Sequence, residues 1–197
     1  MGLLNDIGLK FNTDKSSRFH NYLDFYQEHL PDQSFDGRLL EIGIMDGYSI
    51  QMWREFYPKA QIVGIDIMPK DHLKIPGATL LQLNATDITA MTELGFFDVV
   101  IDDGSHMSLE QQQAFFWFYF RQLNRGGAYV IEDLWTSFMP AYVNSKYTTK
   151  QVLEKLGRSG MEMFYFTHSH DGIEKIFPEY KGLDSETVII PAQRAGT

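Results

Sequence analysis

The chain has 197 residues, a formal net charge of −9 and no cysteine, and 14% of its residues are aromatic. This length suits one domain, and the aromatic content is enough for a sizeable core. The acidic balance argues against charge-driven binding to nucleic acid or an anionic membrane, and the lack of cysteine excludes disulfides, thiolate ligands and cysteine nucleophiles. Asp6 and Lys10 interrupt the N-terminal apolar residues, so no signal peptide or membrane span is predicted and a cytoplasmic location is expected.

Amphipathic and apolar segments alternate along the chain. Residues 18–30 place apolar side chains on one helical face, which predicts an N-terminal helix. Short apolar runs predict strands at 38–42, 61–67, 78–83, 97–102, 127–132, 161–166 and 186–191. Helices are predicted between them at 48–57, 87–94, 108–123 and 149–157. This alternation is typical of an α/β fold with a parallel sheet.

The helix predicted over 108–123 has sequence signals at both ends. Ser108 and Gln111 have the spacing of a capping box at its start. Gly126-Gly127 is expected to stop it before the next strand begins.

A glycine turn, Gly43-x-x-x-Gly47, follows Glu41 at the end of the first predicted strand. Ligands of open α/β sheets bind outside the carboxyl ends of the strands, where glycine lets a ligand come close to the backbone. Met45 stands where a dinucleotide-binding loop often has its middle glycine. The turn therefore argues against a bound pyrophosphate and leaves room for an adenosine ligand without phosphates.

Polar residues also end the second and third predicted strands. Asp66 lies 23 residues after Gly43, a spacing at which an acidic residue can accept hydrogen bonds from a ribose diol. Asn84, Thr86 and Asp87 follow the third strand, where contacts to adenine are expected. Taken singly, Asp66 could be a turn residue and Asp87 a helix cap, but their order at successive strand ends favours a nucleoside site.

The fourth and fifth predicted strands run into Asp102-Asp103 and Glu132-Asp133. Neighbouring strands would bring these carboxylates into one pocket, and their repulsion favours a divalent cation there, Mg²⁺ in preference to Ca²⁺ or Mn²⁺. Side chains alternate along a strand, and the sequence does not determine whether Asp102 or Asp103 points into the pocket. Asp103 is favoured as the ligand because it lies nearest the strand end, while Asp102 is assigned to the loop or the cofactor.

His106 follows three residues after Asp103. A histidine beside an acidic cluster can take a proton from a substrate hydroxyl near neutral pH, so catalysis is favoured. The alternative is a hydrogen-bonding role next to the following helix. Residues 135–148 leave the same edge of the sheet and are predicted to set acceptor specificity.

These motifs together resemble a known family. EIGIMDGYSIQMW, GIDI, IDDGSH and YVIEDLWTSF, preceded by NTDKSSRFHNYLDFY, are similar to the class I S-adenosylmethionine-dependent O-methyltransferases that act on sugars, above all the metal-dependent macrolide-sugar enzymes. The resemblance implies a Rossmann-like α/β fold: a seven-stranded, mostly parallel sheet with a reversed last strand and a short N-terminal helical extension. We expect one methyltransferase domain over 1–197, with a helical cap over 1–35 and the core over 36–197.

The same resemblance assigns roles to individual residues. Mg²⁺ would be bound by Asp103, Glu132 and Asp133, and His106 would be the general base. Glu41, Gly43 and Asp66 would contact S-adenosylmethionine, and Thr13-Asp14-Lys15 would help to close its site. The strand-end residues complete the predicted cofactor contacts: Asn84, Asp87 and Asp102.

The expected activity is methylation of a hydroxyl group of a sugar or glycoside, with no nucleic acid or membrane partner. A catechol-type or other small-molecule diol is the alternative acceptor. A non-catalytic S-adenosylmethionine-binding protein is an alternative function, although such a protein needs no acidic cluster beside a histidine. A homodimer is considered because of the aromatic content and the family resemblance.

Overall fold

The computed structural model describes residues 2–169 and 184–192. Its strands are β1 (Arg38–Ile42), β2 (Gln61–Asp66), β3 (Ala78–Gln82), β4 (Phe97–Asp102), β5 (Leu123–Ile131), β6 (Phe164–His168) and β7 (Ser185–Pro191). Its α-helices are α1 (Leu3–Phe11), α2 (Leu23–His29), α3 (Tyr48–Phe56), α4 (Ile88–Glu93), α5 (Ser108–Trp117) and α6 (Thr149–Arg158). Within this described part, no helix is long and apolar enough to cross a membrane.

The seven strands form one sheet in the order β3-β2-β1-β4-β5-β7-β6. Strands β1 to β5 pair in parallel, whereas β7 runs antiparallel to both β5 and β6. This confirms the predicted fold class, including the reversed last strand. Ile42 at the end of β1 is level with Ile65 of β2 and with Asp102 of β4, so the carboxyl ends of these strands form one edge.

Both faces of the sheet are covered, which explains why the central strands are nearly continuous apolar runs. One face packs against α1, α2 and α3, with Tyr26 and Trp53 among its fully buried side chains. The other packs against α5 and α6, with Phe97, Phe115 and Tyr129 in its core. The sheet is therefore a rigid platform for the loops at its carboxyl edge.

The predicted helix over 18–30 is wrong in its first part. Only Leu23–His29 is helical, and α1 precedes it as a separate, unpredicted helix. The chain between them turns through left-handed residues, Asn12 (φ 58°) and Asn21 (φ 59°). These turns direct the intervening residues toward the carboxyl edge of the sheet.

The predicted signals around α5 are also wrong. Met107 is the N-cap, without a side-chain bond, and Ser108 is the first helical residue. The helix continues as a π-helical turn over Phe118–Gln122, after which β5 begins at once. Gly126-Gly127 therefore lies inside β5, at a point where its register with β4 shifts. Strand β6 begins at Phe164, three residues later than predicted.

Candidate functional site

The loops after the parallel strands are fixed by main-chain hydrogen bonds that continue past the strand ends. The Asp103 N–H donates to the Ile42 carbonyl at 2.9 Å, and the Glu132 N–H donates to the Asp102 carbonyl at 3.0 Å. The Gly43 N–H donates to the Ile65 carbonyl at 2.8 Å. The acidic residues that follow β4 and β5 consequently lie side by side.

A cavity of about 420 Å³ opens at this edge. The predicted site residues that line it are Gly43, Asp66, Asn84, Asp102, Asp103, His106 and Asp133. A neighbouring cavity of about 220 Å³ is lined by Thr13 and Lys15 and shares Asp14, Gly43 and Asp103 with the first. The two form one binding region. Glu41, Asp87 and Glu132 line neither cavity.

Backbone strain is concentrated in these loops. Three of the non-glycine residues with positive φ among the described ones lie here: Met45 (φ 37°), His106 (φ 56°) and Asp133 (φ 54°). Such conformations cost on the order of 1–3 kcal/mol each and are commonly found at functional sites. The Thr136 hydroxyl lies 2.7 Å from the Asp133 carbonyl and 3.3 Å from the His106 carbonyl, which ties the two strained loops together.

Lys15 is buried among three carboxylates, although no charge partner for it was predicted. Its Nζ donates to Asp103 Oδ2 and to Glu132 Oε2, the latter at 3.0 Å, and lies 3.4 Å from Glu41 Oε1. Burial by itself lowers the pKa of this amine, but the three acids outweigh it and hold the pKa of Lys15 well above its usual value. The repulsion attributed to the acidic cluster is thus partly relieved by an ammonium group of the chain itself.

Asp133 is held from the N-terminal side. The Tyr22 hydroxyl donates to its Oδ1 at 3.0 Å, and His20 Nδ1 lies 3.8 Å from the same oxygen. Burial acts to raise the pKa of Asp133, yet the nearby His20 and His106 hold it below its usual value. These contacts therefore favour the ionised form of Asp133.

The atoms best placed to hold a cation come from Asp103, His106 and Asp133, whose candidate ligand atoms all lie within 4.8 Å of one another. His106 Nε2 is 3.8 Å from Asp103 Oδ1 and 3.6 Å from Asp133 Oδ2. Two carboxylate oxygens form a donor set that suits a hard divalent cation. Glu132 lies outside this group, on the side of Lys15, and burial raises its pKa well above the usual range. Its role as a ligand stays a prediction.

The part of the cavity where a nucleoside is predicted to bind has two polar residues at strand ends. Asp66 Oδ2 accepts from the Ile44 N–H at 3.2 Å and lies 3.2 Å from Lys70 Nζ, while its Oδ1 accepts from Met68 N–H. Asn84 Oδ1 accepts from the backbone and hydroxyl of Thr86, which leaves its amide nitrogen to contact a ligand.

Three other predicted cofactor contacts have structural partners. Asp87 caps α4, its carboxylate accepting from Thr89 and Ala90 N–H groups. Asp102 accepts from the Tyr129 hydroxyl at 3.0 Å and lies 3.4 Å from Gly104 N, inside its own loop. Gly43 (φ 81°) leaves no space for a side chain, because a Cβ there would lie 2.1 Å from the Asp103 carbonyl oxygen. Its role as a close approach point for a ligand stays a prediction.

Sequence reasoning favoured packing for Tyr22 and His20 and placed Gln111 only in the predicted capping box. Gln111, 2% exposed, donates its amide to the Glu132 carbonyl at 3.2 Å and joins α5 to the end of β5. The signal for Tyr22 was present in the resemblance, since its motif begins in the N-terminal segment, but helical periodicity assigned the residue to packing.

Known proteins resemble this chain in sequence and in fold. Demethylmacrocin O-methyltransferase of Streptomyces fradiae is 34% identical over 166 residues, which cover 78% of this chain and 42% of that protein. The 8-demethyl-8-(2-methoxy-alpha-L-rhamnosyl)-tetracenomycin-C 3'-O-methyltransferase of Streptomyces olivaceus is 36% identical over 153 residues, 72% of this chain and 39% of that protein. The chain thus spans about two fifths of the length of these curated relatives.

A solved structure of the MycE methyltransferase from the mycinamycin biosynthetic pathway, in complex with Mg and SAH, matches with a TM-score of 0.76 and 25% identity. The match covers 98% of this chain and 56% of that one. No protein-family model matches the chain. The resemblance stated from the motifs is confirmed: the chain has the class I methyltransferase fold and is related in sequence to the macrolide-sugar O-methyltransferases.

Proposed function

We propose that this chain is an S-adenosylmethionine-dependent, divalent-metal-dependent O-methyltransferase that methylates a hydroxyl group of a sugar or glycoside. The observation that carries the proposal is the convergence of Asp103, His106 and Asp133 on the wall of the cavity that also contains Asp66 and Asn84. One cavity thereby combines a cation site, a histidine and polar groups for a nucleoside.

The relatives support this choice of cofactor and acceptor. The MycE structure was solved with Mg and SAH, and the two sequence relatives are named as O-methyltransferases of demethylmacrocin and of a rhamnosyl-tetracenomycin. The acidic walls of the cavity also favour the positive charge of a sulfonium. A cytoplasmic location and a homodimer are kept as expectations from the sequence.

In the proposed mechanism, Asp103 and Asp133 would hold the cation and Glu132 would be the third predicted ligand. A bound Mg²⁺ would lower the pKa of the acceptor hydroxyl, and S-adenosylmethionine would supply the methyl group. His106 Nδ1 is buried and forms no hydrogen bond in the structure, so Nε2, which faces the two aspartates, is the atom available to accept the hydroxyl proton. Alignment of donor and acceptor in one cavity can lower the barrier by up to about 7–11 kcal/mol.

The proposed function is tested by supplying a radiolabelled methyl donor with a panel of glycosides and catechols. We expect label on glycosides only, loss of transfer after thorough chelation with EDTA, and recovery with Mg²⁺. Transfer that persists after chelation would remove the metal from the mechanism. Label on catechols instead of glycosides would favour the small-molecule diol alternative, and binding without transfer to any acceptor would favour a non-catalytic protein.

His106 lies where a base or a metal ligand could act, and one variant separates these roles. His106→Ala should reduce turnover by about 10²–10⁴-fold as expected for a general base, while the affinities for Mn²⁺ and S-adenosylhomocysteine stay near those of the unmodified chain. Mn²⁺ binding is followed by electron paramagnetic resonance of the free ion. A parallel loss of Mn²⁺ affinity would identify His106 as a ligand instead.

A further inference from the structure

Each aspartate of the candidate cation site turns one oxygen toward His106 and the other toward the N-terminal segment. Asp133 Oδ2 and Asp103 Oδ1 face His106 Nε2, at 3.6 Å and 3.8 Å. The opposite oxygens are already engaged, because Asp133 Oδ1 accepts from the Tyr22 hydroxyl at 3.0 Å and Asp103 Oδ2 accepts from the Lys15 ammonium. Of the two oxygens of each carboxylate, only the one that faces His106 is free of a contact with the N-terminal segment, and Asp133 also accepts a side-chain hydrogen bond from Trp135.

The Tyr22 side of this arrangement is held rigidly. The Tyr22 side chain is fully buried. Its ring stacks on His20 with centroids 5.0 Å apart and on Tyr26 with centroids 5.9 Å apart. His20 is itself fixed by a 2.5 Å contact between its Nδ1 and the hydroxyl of Ser185. The Tyr22 hydroxyl therefore cannot move away from Asp133 without repacking of several rings.

The number of oxygens that a carboxylate offers affects which cation it prefers. Mg²⁺ requires near-octahedral geometry at short distances and retains several waters, so carboxylates that each bind through one oxygen suit it. Ca²⁺ accepts more oxygens at longer distances and is often bound by carboxylates through both oxygens. A contact that occupies one oxygen of a ligand therefore disfavours Ca²⁺ more than Mg²⁺.

We propose that Tyr22, together with Lys15, sets the metal selectivity of the site by restricting Asp133 and Asp103 to one oxygen each. Tyr22 touches no reacting atom in the proposed mechanism, so it is a positioning residue that acts through Asp133. The inference rests on the proposed function, since it requires that a divalent cation binds between these aspartates.

The test compares two tyrosine-to-phenylalanine variants of the full chain. Tyr22→Phe keeps the stacked ring and removes the hydrogen bond to Asp133 Oδ1. Tyr26→Phe is the matched control, because Tyr26 is equally buried and its hydroxyl contacts Thr187 Oγ1 at 3.1 Å, not a candidate ligand. Mn²⁺ binding is measured by electron paramagnetic resonance, and displacement of Mn²⁺ by Mg²⁺ or by Ca²⁺ gives the ratio of the two affinities.

We expect Tyr22→Phe to raise the affinity for Ca²⁺ relative to Mg²⁺ by about tenfold or more, in line with the effects of residues that orient metal ligands. Tyr26→Phe should change this ratio less than about twofold, and both variants should unfold at similar temperatures. An unchanged ratio in Tyr22→Phe, or an equal change in both variants, would overturn the inference and leave the cation site in place. Absence of Mn²⁺ binding to the unmodified chain would overturn the inference and the metal requirement of the proposed function together.

Discussion

Lys15 provides the charge that lets two acids remain buried at the end of the sheet. Its side chain is 1% exposed, as against 0% for Glu41 and 2% for Glu132. Taking carboxylates out of water is costly unless a counter-charge accompanies them. Folding of the N-terminal segment is therefore linked to the integrity of the site.

Lys15→Met should lower the free energy of unfolding by about 3–5 kcal/mol, because it leaves buried carboxylates without their cation. Urea unfolding followed by circular dichroism measures this loss. Lys10→Met is the matched control: the Lys10 side chain is 59% exposed and pairs with Glu55 at the surface. That pair should contribute less than about 1 kcal/mol. Equal losses in the two variants would show that Lys15 does not neutralise the buried acids.

The stability of the chain should depend on the protonation of Glu41. Burial raises the pKa of Glu41 to about 7, although Lys15 opposes this. A carboxyl group whose pKa is higher in the folded state stabilises the fold fully below its unfolded pKa, and this contribution is lost as the pH rises through the folded pKa. Relative to Glu41→Gln, the unmodified chain should lose about 3 kcal/mol of unfolding free energy between about pH 4.5 and pH 7.5. Urea unfolding of both chains across this range would show the loss, whereas a constant difference would contradict it.

The sequence could indicate the acids of the site but not their contacts with side chains of the N-terminal segment. Asp103 and Asp133 are identifiable because each follows an apolar run, and neighbouring parallel strands end at one edge. Lys15 lies 88 positions before Asp103, and Tyr22 lies 111 positions before Asp133. Nothing local in the sequence specifies such distant pairs, since they depend on where the N-terminal turns direct the chain.

At the scale of elements, the periodicity of apolar residues predicts whether a segment is a helix or a strand better than it predicts where that segment begins and ends. Residues 18–30 carry a helical pattern of apolar side chains, yet only the part from Leu23 to His29 is helical. The apolar residues before Leu23 lie in a turn, because Asn21 has a left-handed backbone conformation that a helix does not continue through. The start of β5 was predicted too late in the chain for a similar reason. Gly126-Gly127 resembles a helix-ending signal, but it lies within β5 where the pairing of β5 with β4 is irregular.

The turn after β1 must pass directly beside the loop after β4, and Gly43 makes this possible. Gly43→Ala should both strain the backbone and push Asp103 away, because its Cβ would lie 2.1 Å from the Asp103 carbonyl. Gly126→Ala is the matched control, with a similar φ of 78° but no atom within 4 Å of the added Cβ. The control should cost about 1–2 kcal/mol of stability, the penalty of a left-handed residue alone.

We expect Gly43→Ala to cost clearly more stability than this control and to weaken Mn²⁺ binding as well. Thermal unfolding and Mn²⁺ titration of both variants provide the measurements. Similar stability losses with unchanged Mn²⁺ affinity would mean that the loop after β4 tolerates displacement of its backbone.

At the scale of the whole molecule, the sheet brings the ends of five parallel strands to one edge, and the N-terminal segment closes over part of that edge. The sequence predicted that these strand ends meet at one edge, because alternating strands and helices allow few topologies. The resemblance predicted that residues 13–15 help to close the site. The sequence could not predict the buried pairs by which the first 22 residues contact the ends of β4 and β5. Ligand binding should consequently stabilise the N-terminal segment together with the core.

S-adenosylhomocysteine should raise the unfolding temperature of the chain, whereas NAD at the same concentration should not, because Met45 replaces the glycine expected of a pyrophosphate-binding turn. At a ligand concentration about 100 times the dissociation constant, binding adds about 2.7 kcal/mol to the free energy of unfolding. For a chain of this size that corresponds to an increase of about 5–10 °C in the unfolding temperature.

Differential scanning calorimetry with each ligand measures this shift. Hydrogen exchange follows the amides of residues 12–22, which should gain protection with S-adenosylhomocysteine. An equal or larger shift with NAD would overturn the choice of cofactor, and protection confined to the sheet would show that the N-terminal segment does not close the site.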